Sequence, residues 1–307
     1  MGGVGECDKM KKLLFILNPK SGKGQIKNQL LDIVNIFQKN GYRVQLHITQ
    51  EPLDAKNTVM EIGEQFDRIV CSGGDGTLNE TVSGLMEAGF SVSVGYIPSG
   101  STNDFASSLK IPKKMDKAAQ VAVCGESFLC DIGSFNERYF NYVAAFGAFT
   151  EVSYATPQQM KNVLGHPAYL IEGIKQITAI KAAPMTVEYD GNKIEGDFIY
   201  GMITNSTSVG GFKKIVGKSV KMDDGMFEVT LIRNPKNPLE LQEILNALLT
   251  EDASSERLIT FKTAQLYIHS PQSVPWVLDG EFGGNPREIE VKNQYQALNI
   301  IVPRENM

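Results

Sequence analysis

The spacing of apolar residues changes character near residue 130. Before that point, solid apolar runs alternate with stretches whose apolar residues recur every three or four positions. Lys12–Leu17 (KLLFIL) is a solid run and predicts a strand buried on both faces. Ile26, Leu30, Ile33, Val34 and Phe37 then share one helical face, and Gly41 stands where a C-cap belongs. Val44, Leu46 and Ile48 alternate as a second strand, and a helix is expected after Pro52. Arg68–Cys71 is a third strand, followed by a helix over Thr77–Ala88. Val92–Pro98 is a fourth, followed by a short helix from Asn103. Alternating strands and helices imply a parallel sheet covered on both faces, which takes its ligands at the carboxyl ends of the strands.

The second half reads as short strands: Phe128–Ile132, Tyr139–Val143, Met185–Tyr189, Phe198–Asn205, Phe227–Ile232, Leu258–His269, Val274–Leu278, Ile289–Val291 and Leu298–Val302. Asp190-Gly191, Asp224-Gly225 and Asp279-Gly280 are hairpin-type turn signals. The expected organisation is an α/β domain with a Rossmann-like parallel sheet over 11–131 and an antiparallel β-sandwich over 132–295. Residues 296–307 are left open as a strand that rejoins the first domain. Helical insertions are expected near Gln158–Lys181 and Pro238–Leu249. The first mixes Met160, Val163, Leu164, Tyr169, Leu170 and Ile174 with Lys161, Lys175 and Lys181. That pattern suits a core-packing helix better than a membrane-facing one.

Composition narrows the class. With 42% apolar and 21% charged residues among 307, the chain is ordinary globular protein rather than disordered, collagenous or coiled-coil. Thirty basic against thirty-five acidic residues, a net charge of −5, disfavour a nucleic-acid binder. A local basic patch facing an anionic membrane is still compatible with that balance. No run approaches the roughly twenty apolar residues of a spanning helix. Cys7, Cys71, Cys124 and Cys130 lack C-x-x-C spacing, which suits a reducing cytosol. Residues 1–10 read as a disordered leader, and Glu6 occupies the position where a myristoylation motif wants Ser or Thr. His47, His166 and His269 show no metal-ligand spacing, so zinc chemistry and a Ser-His-Asp hydrolase are unsupported.

Three bends at strand ends carry chemistry. In Ser72-Gly73-Gly74-Asp75-Gly76-Thr77 the glycines let backbone N–H groups approach an anion, and the next helix points its dipole at the same space. Asp75 is the odd member. A carboxylate about 4 Å from a phosphate repels it by about 4 kcal/mol at an effective dielectric of about 20. A metal ion reverses that sign, so Asp75 suggests a metal–nucleotide complex; its alternative is a helix N-cap in a plain Gly-rich turn. Asn18-Pro19-Lys20-Ser21-Gly22-Lys23-Gly24 supplies a second set of N–H groups but is no Walker A loop. Gly217-Lys218-Ser219 has the ending of one, but Phe212 stands where its first Gly belongs. The third bend, Gly100-Ser101-Thr102-Asn103-Asp104, would alone be good turn and cap chemistry. Three such bends at neighbouring strand ends favour a nucleotide. Near the C-terminus, Asp279 and Glu281 flank Gly280, either sharing a metal, orienting one another or forming only a turn. Asp223-Asp224 reads first as a turn before the strand at Phe227.

Asn18-Pro19-x-Ser21-Gly22, Gly73-Gly74-Asp75-Gly76-Thr77-Leu78-Asn79-Glu80 and Gly100-Ser101-Thr102-Asn103-Asp104-Phe105-Ala106 occur in the order and spacing of the diacylglycerol kinase catalytic domain. The chain resembles soluble bacterial diacylglycerol and lipid kinases, relatives of sphingosine kinases, over nearly its whole length. Asp223-Asp224-Gly225-Met226-Phe227 and Leu278-Asp279-Gly280-Glu281 extend the likeness. Gly-Gly-Asp-Gly-Thr alone is also similar to NAD kinases, whereas the Asn-Pro-x-Ser-Gly and Asn-Asp-Phe-Ala runs favour the lipid branch.

The resemblance implies a nucleotide cleft between the α/β domain and the sandwich. It would set Asn18, Pro19, Lys20, Ser21, Gly22, Thr49, Gly73, Gly74, Asp75, Gly76, Thr77, Leu78, Asn79 and Ser101 around ATP. It makes Glu281 the general base, with Asp75 and Asp279 beside it in the catalytic set. A structural Mg²⁺ would lie at Asp224 and the carbonyls of Lys221 and Met226. Two departures are a Ser at 101 where the family has Thr, and Ser107 where it has Arg. The implied activity is transfer of the γ-phosphoryl group of ATP to the hydroxyl of a lipid alcohol, diacylglycerol first, by a cytoplasmic protein in peripheral contact with the membrane. A homodimer is left open. The alternatives are an NAD kinase-like or other small-molecule kinase and a non-catalytic nucleotide-binding module.

Overall fold

Leu13, Leu14, Phe15, Ile16 and Leu17 are all buried, as a strand covered on both faces requires, and they form β1 (Lys11–Leu17). The computed structural model describes residues 10–22, 24–147, 181–206, 220–250 and 256–304, without the side chains of residues 245 and 248–250. These fall into two compact units, Met1–Leu129 with Leu298–Met307, and Cys130–Ala297.

In the first unit β1 is followed by α1 (Ile26–Lys39), β2 (Tyr42–Ile48), α2 (Asp54–Ile62), β3 (Arg68–Gly73), α3 (Asp75–Ala88) and β4 (Ser93–Pro98). Helix α1 buries Ile26, Ile33 and Phe37, and Phe37 meets Phe15 edge to face at 5.2 Å. Two further helices, α4 (Asp104–Ser108) and α5 (Met115–Cys124), come before β5 (Glu126–Phe135). Helix α5 has no counterpart in the apolar reading above. Its buried face is mostly alanine (Ala118, Ala119, Ala122), too small to stand out in that pattern.

The sheet is parallel, in the order β4-β3-β1-β2, and the end of a long strand β15 (Glu288–Val302) joins it in parallel beside β4 through Ile300 and Val94. Strand order reverses at β1, which has β2 on one side and β3 on the other. Such a reversal opens a crevice at the carboxyl ends.

The second unit is an antiparallel sandwich. It holds β6 (Arg138–Phe140), β7 (Val143–Gly147), β8 (Ala183–Tyr189), β9 (Asn192–Thr204), β10 (Phe227–Arg233), α6 (Pro238–Thr250), β11 (Leu258–Thr263), β12 (Gln265–His269), β13 (Trp276–Leu278) and β14 (Glu281–Gly284). The strand order is β14-β13-β7-β9-β8-β12-β15, with β10 between β9 and β11. Asp190 and Gly191, both at positive φ, close the β8–β9 hairpin as the turn signal predicts.

Three strand expectations change. Tyr139–Val143 is divided between β6 and β7. Leu258–His269 is two strands, because β11 pairs with β10 while β12 pairs with β8 and β15. Ile289–Val291 and Leu298–Val302 are one strand, carried past Gln296 at φ 50°. The Gln158–Lys181 stretch and the Gly217-Lys218-Ser219 near-match lie outside the described residues, apart from Lys181.

The sandwich core centres on Trp276, fully buried between Phe135 and Phe146 at 5.1 and 4.9 Å. Its indole N–H has no hydrogen-bond partner among the described residues. Trp276→Ala should cost about 3–5 kcal/mol, the usual range for emptying so large a site. Trp276→Phe should cost far less, because removing the unpaired N–H relieves a penalty of about 1–3 kcal/mol and offsets part of the lost contact. Urea denaturation followed by circular dichroism measures both.

Candidate functional site

The three bends meet in the first unit through backbone atoms. The order β4-β3-β1 makes the bends after β1, β3 and β4 neighbours, and hydrogen bonds tie them together. Asn18 N–H donates to the Ser72 carbonyl at 2.9 Å, and Ser99 N–H donates to the Gly73 carbonyl at 2.8 Å. The Asn18 side-chain amide donates to the Thr77 hydroxyl at 3.2 Å, joining the first bend to helix α3. A Cβ at Gly22 would stand 2.1 Å from the Ser99 carbonyl oxygen, and one at Gly100 would stand 2.7 Å from the Gly74 Cα. No side chain fits at either place. From Gly74, an added Cβ would find Ser21 Oγ at 3.8 Å.

Helix α3 starts at Asp75, two residues earlier than the sequence suggests, and Gly74 is its N-cap without a side-chain bond. Asp75 is therefore not the cap but a buried carboxylate in the first turn, where the helix dipole favours negative charge. The first N–H groups of a helix have no partner inside it, so the bend and the helix start together form an anion cradle. Thr77 is buried against Gly73, and its carbonyl accepts the Thr81 hydroxyl at 2.9 Å. Leu78 is fully buried and its N–H closes the first turn on the Gly74 carbonyl, so its side chain belongs to the core. Asn79 accepts from the Ser83 hydroxyl at 3.4 Å.

Pro19, Lys20, Ser21 and Ser101 line the exposed or half-buried rim, and Lys20 N–H donates to Asn18 Oδ1 at 2.9 Å. Thr49, past the end of β2, donates its N–H to the Leu17 carbonyl at 3.0 Å and so sits beside the first bend. Backbone bonds and close approaches thus bring the first and third bends against the β3–α3 bend, with Thr49 beside the first, while the Leu78 side chain belongs to the core. The structure also brings in Tyr96, which the sequence reading passed over, and shows how Asn103, quoted there in the third bend, holds that bend. Asn103, at φ 52°, accepts the Gly100 N–H at 2.9 Å and donates to the Gly100 carbonyl at 2.8 Å.

In the second unit Glu281 is exposed at the start of β14, just past a turn made by Asp279 and Gly280 at φ 49° and 88°. Asp279 is not available for a shared metal. Its buried carboxylate accepts the N–H groups of Asn141 at 2.6 Å, Tyr142 at 3.0 Å and Val143 at 3.1 Å. It is a positioning residue that fixes the turn before Glu281.

Asp224 is exposed, with one oxygen accepting the Met226 N–H at 3.1 Å and the other 3.9 Å from Lys262 Nζ. Behind this turn lies Asp131, fully buried, which accepts N–H groups from Gly225 and Gln296 at 2.7 Å each. Burial raises the Asp131 carboxyl above its ordinary pKa against the pull of these donors. A charged residue inside the apolar run Phe128–Ile132 was a readable sign of such an anchor. Among the described residues, no three His, Cys, Asp or Glu side chains gather as a metal cluster. No described helix is long and apolar enough to cross a membrane.

Comparison with known proteins agrees with this geometry. Residues 12–135 match the diacylglycerol kinase catalytic domain, and residues 144–302 match a C-terminal NAD kinase β-sandwich-like domain named for YegS. A Bacillus subtilis protein named diacylglycerol kinase is 33% identical over 96% of this chain and 98% of its own length. A Staphylococcus aureus protein of the same name is 36% identical over 89% and 87%. Two Bacillus anthracis crystal structures carrying the diacylglycerol kinase designation share the fold. Their TM-scores are 0.80 and 0.76 at 24% and 21% identity, over 96% of this chain and 98% and 97% of theirs.

The contact of the bends is testable by itself. Gly41, at φ 81°, has nothing within 4 Å of an added Cβ, so Gly41→Ala should cost only the left-handed strain, about 1–2 kcal/mol. Gly22→Ala, at φ 56°, should cost a further 1–3 kcal/mol or so, because its methyl meets an immovable carbonyl. Paired urea midpoints separate the two.

Proposed function

The chain belongs to the diacylglycerol kinase family, and from that premise we propose that it moves the γ-phosphoryl group of ATP onto the hydroxyl of diacylglycerol, giving phosphatidic acid. The carrying observation is the backbone-to-backbone meeting of the bends at Gly22, Gly74 and Gly100, with Asp75 in the first turn of α3. A kinase of this family transfers phosphate to an alcohol, and the acceptor is inferred from the names of the relatives. Phosphoryl transfer of this kind is mostly positioning and charge neutralisation. Backbone N–H groups of the bends hold the triphosphate, and Asp75 would be the carboxylate that holds a divalent cation brought with the nucleotide, whose charge would offset that of the phosphates. Glu281 takes the hydroxyl proton as the lipid oxygen attacks phosphorus, and ADP leaves. Asp279 keeps the turn before Glu281 in place through its three N–H bonds.

The turn over 221–226 fits a hard divalent cation by its donor chemistry. Asp224 offers a carboxylate, and Lys221 and Met226 offer carbonyl oxygens. Mg²⁺ held there would supply a fixed positive charge that braces the turn. With no described helix able to cross a bilayer, the lipid is met at the membrane surface, by peripheral and reversible contact.

Labelled-ATP transfer to detergent-dispersed diacylglycerol tests the reading. Asp75→Ala should abolish transfer while circular dichroism stays native. Glu281→Gln should lower kcat by about 10²–10⁴, the usual worth of a general base, with ATP affinity unchanged. Phosphorylation of NAD and not of the lipid would overturn the acceptor. Full activity in the Asp75 variant would overturn the site.

A further inference from the structure

Tyr96 stands in the middle of β4, is 1% exposed, and has a ring that belongs to the core of the first unit. Its hydroxyl is more unusual. It lies 3.2 Å from the Gly73 carbonyl oxygen and 3.3 Å from Asn103 Oδ1. These acceptors belong to different bends: Gly73 ends β3, and Asn103 closes the turn after β4. Burial, with the charge of Asp75 adding to it, pushes the phenol well above its ordinary pKa, so the group stays a donor throughout the working range of pH.

Neither acceptor needs Tyr96 for its own satisfaction. Gly73 O already takes the Ser99 N–H at 2.8 Å, and Asn103 Oδ1 already takes the Gly100 N–H at 2.9 Å. What the hydroxyl adds is its single proton, shared between the two oxygens as a three-centre bond and so common to both bends. Its effect on direction follows from peptide geometry. A trans peptide sends C=O and N–H to opposite sides, and the described chain has no cis bond. Holding the Gly73 carbonyl toward Tyr96 therefore turns the Gly74 N–H away from them. On the other bend, Asn103 bonds both the N–H and the carbonyl of Gly100, so a contact to its Oδ1 also steadies Gly100.

We propose that the Tyr96 hydroxyl is a positioning group that couples the Gly73-Gly74 bend to the Gly100–Asn103 bend, so that both present their N–H groups to one triphosphate as a single surface. The proposal rests on the nucleotide reading above and assigns Tyr96 no contact with substrate. A merely structural hydroxyl would stabilise the fold without favouring one substrate over the other.

Tyr96→Phe keeps the ring in the core and removes only the coupling. KM for ATP should rise about fivefold, the worth of one net hydrogen bond, while KM for dispersed diacylglycerol and the far-ultraviolet spectrum stay unchanged. In hydrogen–deuterium exchange, the Ser99 and Gly100 amides should both exchange faster in the variant. An unchanged KM for ATP, or equal rises in both KM values, would overturn the proposal. The exchange measurement does not depend on turnover. If the unsubstituted protein phosphorylated nothing, the kinase reading would fail, and unaltered exchange at Ser99 and Gly100 would independently sink the coupling.

Discussion

The candidate nucleotide site rests on contact between backbones where side chains have been left out. Gly22 lies against the Ser99 carbonyl and Gly100 against the Gly74 Cα, so closely that neither Gly22 nor Gly100 could carry a methyl group. This contact is possible because the parallel order β4-β3-β1 makes consecutive bends spatial neighbours, although Gly22 and Gly100 are far apart in the chain. Each bend alone is a common turn. Packed together, they replace side-chain volume with N–H groups that can face one anion. The rest of the first unit positions these bends: β1 is buried on both faces, and α3 starts at the end of β3.

Three buried carboxylates show how one chemical group takes different work from its surroundings. Asp131 and Asp279 are anchors whose oxygens accept backbone N–H groups from segments distant in sequence. Each removes the desolvation cost of several buried donors at once, the usual reason for a carboxylate inside a sandwich. Asp75 instead occupies the start of a helix, where the dipole already supplies positive potential. The neighbouring Asp279 and Glu281 divide in the same way: the first is buried and bonded, the second exposed and free to meet a substrate.

Much of this was legible in the order of residues. The apolar run 13–17, the helical spacing of Ile33 and Phe37, and the Asp190-Gly191 turn each follow from a local rule, and each element forms as the rule requires. Helix α5 was missed because alanines bury well without looking hydrophobic in a periodic pattern. The single strand over 288–302 was missed because Gln296 breaks the alternation without ending the pairing. Within the site, the glycines and Asp75 announced themselves by type and spacing. Tyr96 did not, because its importance lies in which distant bend it touches, the one at Gly73. The sequence leaves Asp279 between a shared metal, an orienting role and a plain turn, because the three donors that decide it come from residues 141–143.

The charge balance explains why such rigidity is needed. The chain carries a net charge of −5, and Ser107 takes the place where an Arg would be expected by the family resemblance. Long-range attraction for a polyphosphate is accordingly weak, because the field of the whole protein does not favour it. Backbone N–H dipoles then share the holding with Lys20 of the first bend, and their field falls off faster with distance than that of the lysine. A dipole a few tenths of an ångström out of place loses about twice the fraction of its interaction that a charge loses at the same displacement. A cradle of neutral donors therefore works only if its bends are held fast to one another. The Asn18–Thr77, Ser99–Gly73 and Asn103–Gly100 bonds meet that requirement without adding a formal charge to the site.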